Sequence, residues 1–203
     1  MPDQPNPAAQ PDLAALIASR ICHDLISPIG AISNGVELLG MEAPDRPELA
    51  LLSESAANAN ARIRFFRISF GAAGPDQRIA RSEVSAILAD LTNGGRVTYD
   101  WTSPPDLSRR EVRLVLLLVQ CLETALAYGG KVSIAHNQGR WSLAAEAPRL
   151  RADAALWAVL TGSPPPGDLG AAQVQFALAP PALTELGRSL AIDSTPVSIS
   201  LTF

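Results

Sequence analysis

Two runs of apolar residues with helical spacing stand one after the other in the first third of the chain, and neither can bury the other completely. In the first, Ile17, Ile21, Leu25, Pro28, Ile32, Val36 and Leu39 follow in steps of 4, 4, 3, 4, 4 and 3, the single stripe of an amphipathic helix. Gly40 and Pro44 end it. Asp45-Arg46-Pro47-Glu48 then reads as a capping box, with Asp45 as the cap and Pro47 in the first turn. In the second run, Leu49, Leu52, Ala56, Ala59, Ile63, Phe66 and Phe70 step by 3, 4, 3, 4, 3 and 4, a heptad pattern kept for three repeats. Gly71, Gly74 and Pro75 stop it. The usual way to cover two such stripes is a four-helix bundle. A homodimer would supply the other two helices; the alternative is that both stripes pack on the rest of the same chain.

From about Gln77 the rhythm changes. A helix is expected over Ser82 to Leu91, a strand over Arg96 to Trp101, and a long, largely buried helix over Ser108 to Tyr128. Lys131 to Ala135 and Arg140 to Glu146 alternate like strands around Asn137-Gln138-Gly139, a hairpin pattern. Helices follow near Ala152 to Leu160 and Ala171 to Leu190, and strands at Leu190 to Asp193 and Val197 to Phe203. The fold class expected is α+β. Residues 1–76 form a helical hairpin for dimerisation, and residues 77–203 an α/β sandwich with helices on one face of one sheet.

Hydrophobic residues make up 47% of the chain and charged residues 18%, ample for a core. The net charge of -4 and the scattered arginines give no reason to expect nucleic acid as a partner. Cys22 and Cys121 sit far apart in apolar helical patterns, so neither a disulfide nor a zinc site is expected and a reducing cytoplasm fits best. Met1 to Pro11 lacks the basic start and apolar run of a signal peptide, and no apolar stretch is long enough to cross a bilayer.

At roughly 100° per residue, His23 lies about 170° from the middle of the first helix's stripe. It should be exposed on a helix otherwise committed to packing. Ser19, Ser27, Gly30 and Asn34 fall within about 40° of it on the same wheel, and Ile26 roughly 60° away. Small side chains around an open imidazole leave room for another protein to approach, with Ile26 as an apolar contact.

The stretch His23-Asp24-Leu25-Ile26-Ser27-Pro28-Ile29 resembles the phosphoacceptor box of sensor histidine kinases, and the likeness continues through Ile32, Asn34, Glu37 and Leu38-Leu39. The run from His23 to Glu37 looks especially like the ChpT family of histidine phosphotransferases, which serve alphaproteobacterial phosphorelays. That resemblance implies a helical-hairpin dimer joined to a degenerate kinase-like ATPase domain. It also implies that His23 carries a phosphoryl group between the receiver-domain aspartates of a hybrid histidine kinase and of response regulators. Neutral imidazole is nucleophilic and is largely neutral near pH 7. Asp24 either holds the other ring nitrogen and stabilises positive charge or is a solvated helix acid. Pro28 removes a backbone hydrogen bond in mid-helix and should bend it. Ser27 stands where phosphatase-competent kinases often carry Thr or Asn, which argues against a phosphatase role. His23 and Asp24 are therefore the catalytic candidates, and Ser19, Ile26, Ser27, Gly30 and Asn34 the docking ones.

The second segment resembles a histidine kinase ATPase domain stripped of its nucleotide site. Gln120-Cys121-Leu122-Glu123-Thr124-Ala125-Leu126-Ala127-Tyr128 falls where kinases carry an Asn-rich signature, with Thr124 in place of the magnesium-holding Asn and Ala127 in place of Lys. Leu143 to Glu146 leads into Ala147-Pro148-Arg149-Leu150, not into an Asp-x-Gly-x-Gly turn. The stretch Pro164 to Gly170 lacks the Gly-x-Gly spacing of a phosphate cradle. No ATP, metal or other cofactor is expected on this chain; Mg2+ would come with the partner receiver. The rival readings are an ATP-dependent histidine kinase fragment and a non-catalytic dimerisation adaptor. Elsewhere, His136 is expected as a solvated residue at a hairpin tip. Arg62, Arg64 and Arg67 should be solvated or meet an acidic receiver, and Phe65 should pack on the second domain or a partner. Trp101, Trp141 and Trp157 should be core or half-buried.

Overall fold

The structure is a computed structural model, and it describes residues 17, 20, 21, 24, 25, 27–32, 34, 35, 47–93 and 95–203. The expectations for Met1 to Pro11, Ser19, Cys22, His23, Ile26, Gly40, Pro44 and Asp45 lie outside the described residues.

Every described residue between 17 and 35 is helical, and this segment is α1. Ile17, Ile21, Leu25, Pro28 and Ile32 are half-buried there, as the stripe requires. Helix α2, Pro47–Ser69, opens on a proline whose fixed φ suits a first turn. The two helices touch closely at Gly35, where an added Cβ would come within 2.7 Å of Leu52 Cγ. A larger residue there would force the helices apart.

Helix α2 has two apolar faces. One is the heptad face. The other, roughly 180° around the wheel, carries Ala61, Phe65 and Ile68, all at 0% exposure. This second face joins α2 to the core of the remaining chain, as expected for Phe65.

That remainder runs β1 (Arg78–Ala80), α3 (Arg81–Thr92), β2 (Val97–Thr102), β3 (Asp106–Ser108), α4 (Arg109–Ala125), β4 (Gly130–Asn137) and β5 (Arg140–Glu146). It continues with α5 (Ala154–Val159), a 3-10 turn (Ala171–Gln173), α6 (Val174–Glu185), β6 (Ala191–Ser194) and β7 (Ser198–Thr202). The main sheet has the order β2-β4-β5-β7-β6. Its β2–β4 pair is parallel and spanned by α4, the crossover a parallel pair needs. The other pairs are antiparallel.

Alternation along the strands decides which face is covered. Val132, Ile134, Trp141, Leu143, Ala145, Ile199 and Leu201 are buried beneath the helices. Ser133, Ser142, Ser200 and Thr202 line the opposite, open face. Helix α4 is apolar almost all round, which only a fully packed helix tolerates. Leu114 to Leu118 are each at 0% exposure.

Three local expectations shift. Helix α4 ends at Ala125, not at Tyr128. The chain turns there through Gly129 at φ 93°, where a Cβ would fall 2.5 Å from the Arg96 carbonyl oxygen. The final helix begins as the 3-10 turn and stops at Glu185, closed by Gly187 at φ 62° and an Arg188 N–H bond to the Leu183 carbonyl. The short pair β1–β3 was not foreseen, because three-residue strands are too brief to show a period.

Candidate functional site

The small-residue face of α1 is open where it is described. Ser27, Gly30 and Asn34 are all exposed, and a Cβ added at Gly30 would meet nothing within 4 Å. Neighbouring Ile29 is 52% exposed. Ser19, Ile26 and His23, assigned to the same face by the helical wheel, are not among the described residues. Since no neighbour crowds Gly30, its replacement by alanine should raise unfolding stability by roughly 0.5–1 kcal/mol through helix propensity. Urea unfolding measures this; a destabilised variant would mean the face is covered.

Asp24 is not a freely solvated acid. Its Oδ2 lies 2.9 Å from Arg20 Nε, one turn earlier, and both side chains are 14% exposed. Arg20 also reaches out of its helix: Nη1 donates to the Ala172 carbonyl oxygen at 3.2 Å, in the 3-10 turn before α6. The guanidinium carbon sits 6.0 Å from the centre of the Phe66 ring on α2. One side chain thus ties α1 to α2 and to the far end of the chain. Sequence reasoning passed over Arg20; its i, i+4 spacing to Asp24 was the available signal.

Arg67 is solvated as expected, with its side chain 65% exposed, whereas Arg62 and Arg64 are partly buried; all three also make ion pairs within the chain, which the sequence did not lead one to expect. Arg64 pairs with Asp90 at 3.4 Å and Arg67 with Glu83 at 3.4 Å, both on α3. Arg62 lies 3.9 Å from Glu123 on α4. They form a charged seam between α2 and the helices beneath it. Tyr99 donates to the same Glu123 carboxylate. Burial first, then the adjacent Glu123, holds its hydroxyl well above the usual tyrosine range, so it stays a donor.

His136 also departs from expectation. It lies within β4, half-buried, with its ring centre 4.6 Å from that of Trp141. The turn itself is Gln138-Gly139. Trp141 is buried, while Trp101 and Trp157 are half-buried, as expected.

A cleft of about 470 Å³ lies between the end of α4 and the 3-10 turn, beside the segment where the sequence leads one to expect a lost nucleotide site, and is lined by Thr124, Ala127, Arg151, Asp153 and Gln173 among others. The Thr124 hydroxyl donates to the Cys121 carbonyl at 2.6 Å. The Asp153 carboxylate caps α5 through the Ala155 N–H at 2.9 Å. Tyr128 is 68% exposed, with the Arg149 guanidinium carbon 5.5 Å from its ring centre. Burial pushes the Cys121 thiol up, so it is no nucleophile at neutral pH. Among the described residues no group of three His, Cys, Asp or Glu could hold a metal ion, and no helix is long and apolar enough to cross a membrane.

Residues 81–196 match the family model of the histidine phosphotransferase C-terminal domain. Protein phosphotransferase ChpT of Brucella abortus (strain 2308) is 38% identical over 125 residues, 61% of this chain and 60% of that protein. The chain therefore spans about three fifths of that relative's length in the match. The 1.7 Angstrom structure of a bacterial phosphotransferase aligns with 94% of this chain and 95% of its own, at a TM-score of 0.79 and 30% identity.

Proposed function

Because the chain belongs to the histidine phosphotransferase family, we propose that it relays phosphoryl groups through His23. It takes them from the receiver domain of a hybrid histidine kinase and passes them to the receivers of response regulators. The lone pair of the neutral imidazole forms an N–P bond as the acyl-phosphate P–O bond of the donor breaks. The donor aspartate leaves as a carboxylate. The proton on the other ring nitrogen stays there, and the Asp24 carboxylate opposes the positive charge the ring acquires. The reverse step hands the group to the next aspartate. Mg2+ arrives with the receiver, where it neutralises charge on the phosphoryl oxygens.

The observation that carries this reading is the open face of Ser27, Gly30 and Asn34 on the helix that bears the phosphoacceptor motif. Mixing the purified chain with a receiver phosphorylated on aspartate should move label onto the chain in an acid-labile, base-stable form. No label, or label that base removes, overturns it.

The second half of the chain acts as a platform, not an ATPase. Thr124 gives its hydroxyl proton to the Cys121 carbonyl, Asp153 caps α5 through one carboxylate oxygen, and Arg151 is the one cation lining the cleft among its described residues. Mg-ATP at millimolar concentration should leave the thermal midpoint unchanged; a rise that saturates would favour a kinase fragment. The working unit is a cytoplasmic homodimer with a four-helix bundle, residues 1–76 supplying the hairpin and residues 77–203 the degenerate kinase-like domain. The heptad face supports this, since Leu49 and Ile63 are 47% and 48% exposed in the single chain.

A further inference from the structure

From the contacts of Arg20, we propose that this arginine is a positioning residue for phosphoryl transfer, and that the second domain acts on the transfer site through it. The inference rests on the relay reading given above. Arg20 meets three partners from three parts of the chain. It pairs with Asp24 at 2.9 Å, donates to the Ala172 carbonyl oxygen at 3.2 Å, and lies over the Phe66 ring at 6.0 Å. A guanidinium is suited to this because its planar fork can serve two acceptors while its face rests on an aromatic ring.

The arrangement has two consequences for Asp24, which follows His23 directly in the chain. Its carboxylate is held in one rotamer, on a helix side where a free aspartate would sample several. Its charge is also balanced. A phosphorylated receiver presents anionic oxygens and an acidic pocket, and an unpaired carboxylate beside the phosphoacceptor would repel both. With Arg20 in place, Asp24 still opposes charge developing on the imidazole, yet adds little net negative field to the approach. Ala172 supplies the anchor. It belongs to the 3-10 turn and lines the cleft beside the end of α4, so this domain acts on the relay by holding Arg20, and through it Asp24, in place.

Lysine is not an equal substitute. Its single ammonium can reach Asp24 or the Ala172 carbonyl, but has no fork with which to hold both.

A double-mutant cycle tests the inference, using single-turnover transfer from a phosphorylated receiver over a range of receiver concentrations. The loss of one close ion pair predicts that Arg20→Ala lowers the maximal rate about tenfold, and the unbalanced Asp24 charge raises the half-saturating receiver concentration a few-fold as well. Arg20→Lys should recover part of that loss. Adding Arg20→Ala to Asp24→Asn should cost nothing further, because Arg20 acts through Asp24. Thermal midpoints of all variants separate transfer from folding. Losses that multiply in the double variant, a wild-type maximal rate for Arg20→Ala, or a loss seen only in the half-saturating concentration each overturn the inference. If wild type takes no label at all, the relay reading itself has failed.

Discussion

Phosphoryl label should vanish from the chain when His23 is replaced by alanine, while the fold stays intact. Among the described residues the relay reading leaves no other histidine or open thiol to take its place. The chain has two histidines, and the second, His136, is half-buried in β4 against Trp141. The Cys121 thiol is fully buried and its pKa is raised by that burial. Ser27 is exposed on the same helix face, but a serine phosphoester survives acid and is told apart by that test. Alanine is the best helix former, and the wheel places position 23 away from the packed stripe. The substitution should therefore change stability by no more than about 0.5 kcal/mol. Acid-labile label on wild type, none on His23→Ala, and matching thermal melts are the expected set. Acid-labile label on the variant, mapped by mass spectrometry to another residue, would remove His23 from the mechanism.

What could be read in the chain, and what could not, divides along the range of the interactions. The stripe from Ile17 to Ile32 and the buried run of α4 came through because apolar periodicity is a local signal repeated over several turns. The hairpin of β4 and β5 came through because alternation flanks a glycine turn. The open positions Ser27, Gly30 and Asn34 followed from the same wheel.

The ion pairs of Arg62, Arg64 and Arg67 were not legible because their partners, Glu123, Asp90 and Glu83, lie on other helices. A sequence does not say which acid a surface arginine will meet. Arg20 was missed for the same reason: its anchor is a backbone carbonyl 152 residues away, a group every residue carries. Phe65 was the useful anomaly. An aromatic residue off the main stripe had to be buried by something else, and it is buried, at 0% exposure, against the second half of the chain.

The proposed dimer should fall apart when Ile63 is replaced by aspartate. Leu49, Ala56, Ile63 and Phe70 recur every seven residues along α2 and its end, forming one flank of the heptad face. In the single chain Leu49 and Ile63 are about half exposed, while Phe66, on the opposite flank of that face, is 3% exposed. A flank that is apolar, periodic and only half covered suits a second copy of the same hairpin, whose own stripe has the same period. In the isolated chain an aspartate at position 63 would sit largely in water, costing at most about 0.7 kcal/mol in helix propensity. In a two-chain bundle it would place two carboxylates in an apolar seam, at several kcal/mol each. The difference should raise the dissociation constant by at least about a thousandfold. Light scattering at micromolar concentration should then report about twice the chain mass for wild type and the single chain for Ile63→Asp. Ala57→Asp is the control, since Ala57 is exposed and lies about 120° from Ile63 on the wheel. It should remain a dimer. A wild-type chain that is already monomeric, or an Ile63→Asp variant that stays dimeric, would show that the heptad face is completed within one chain.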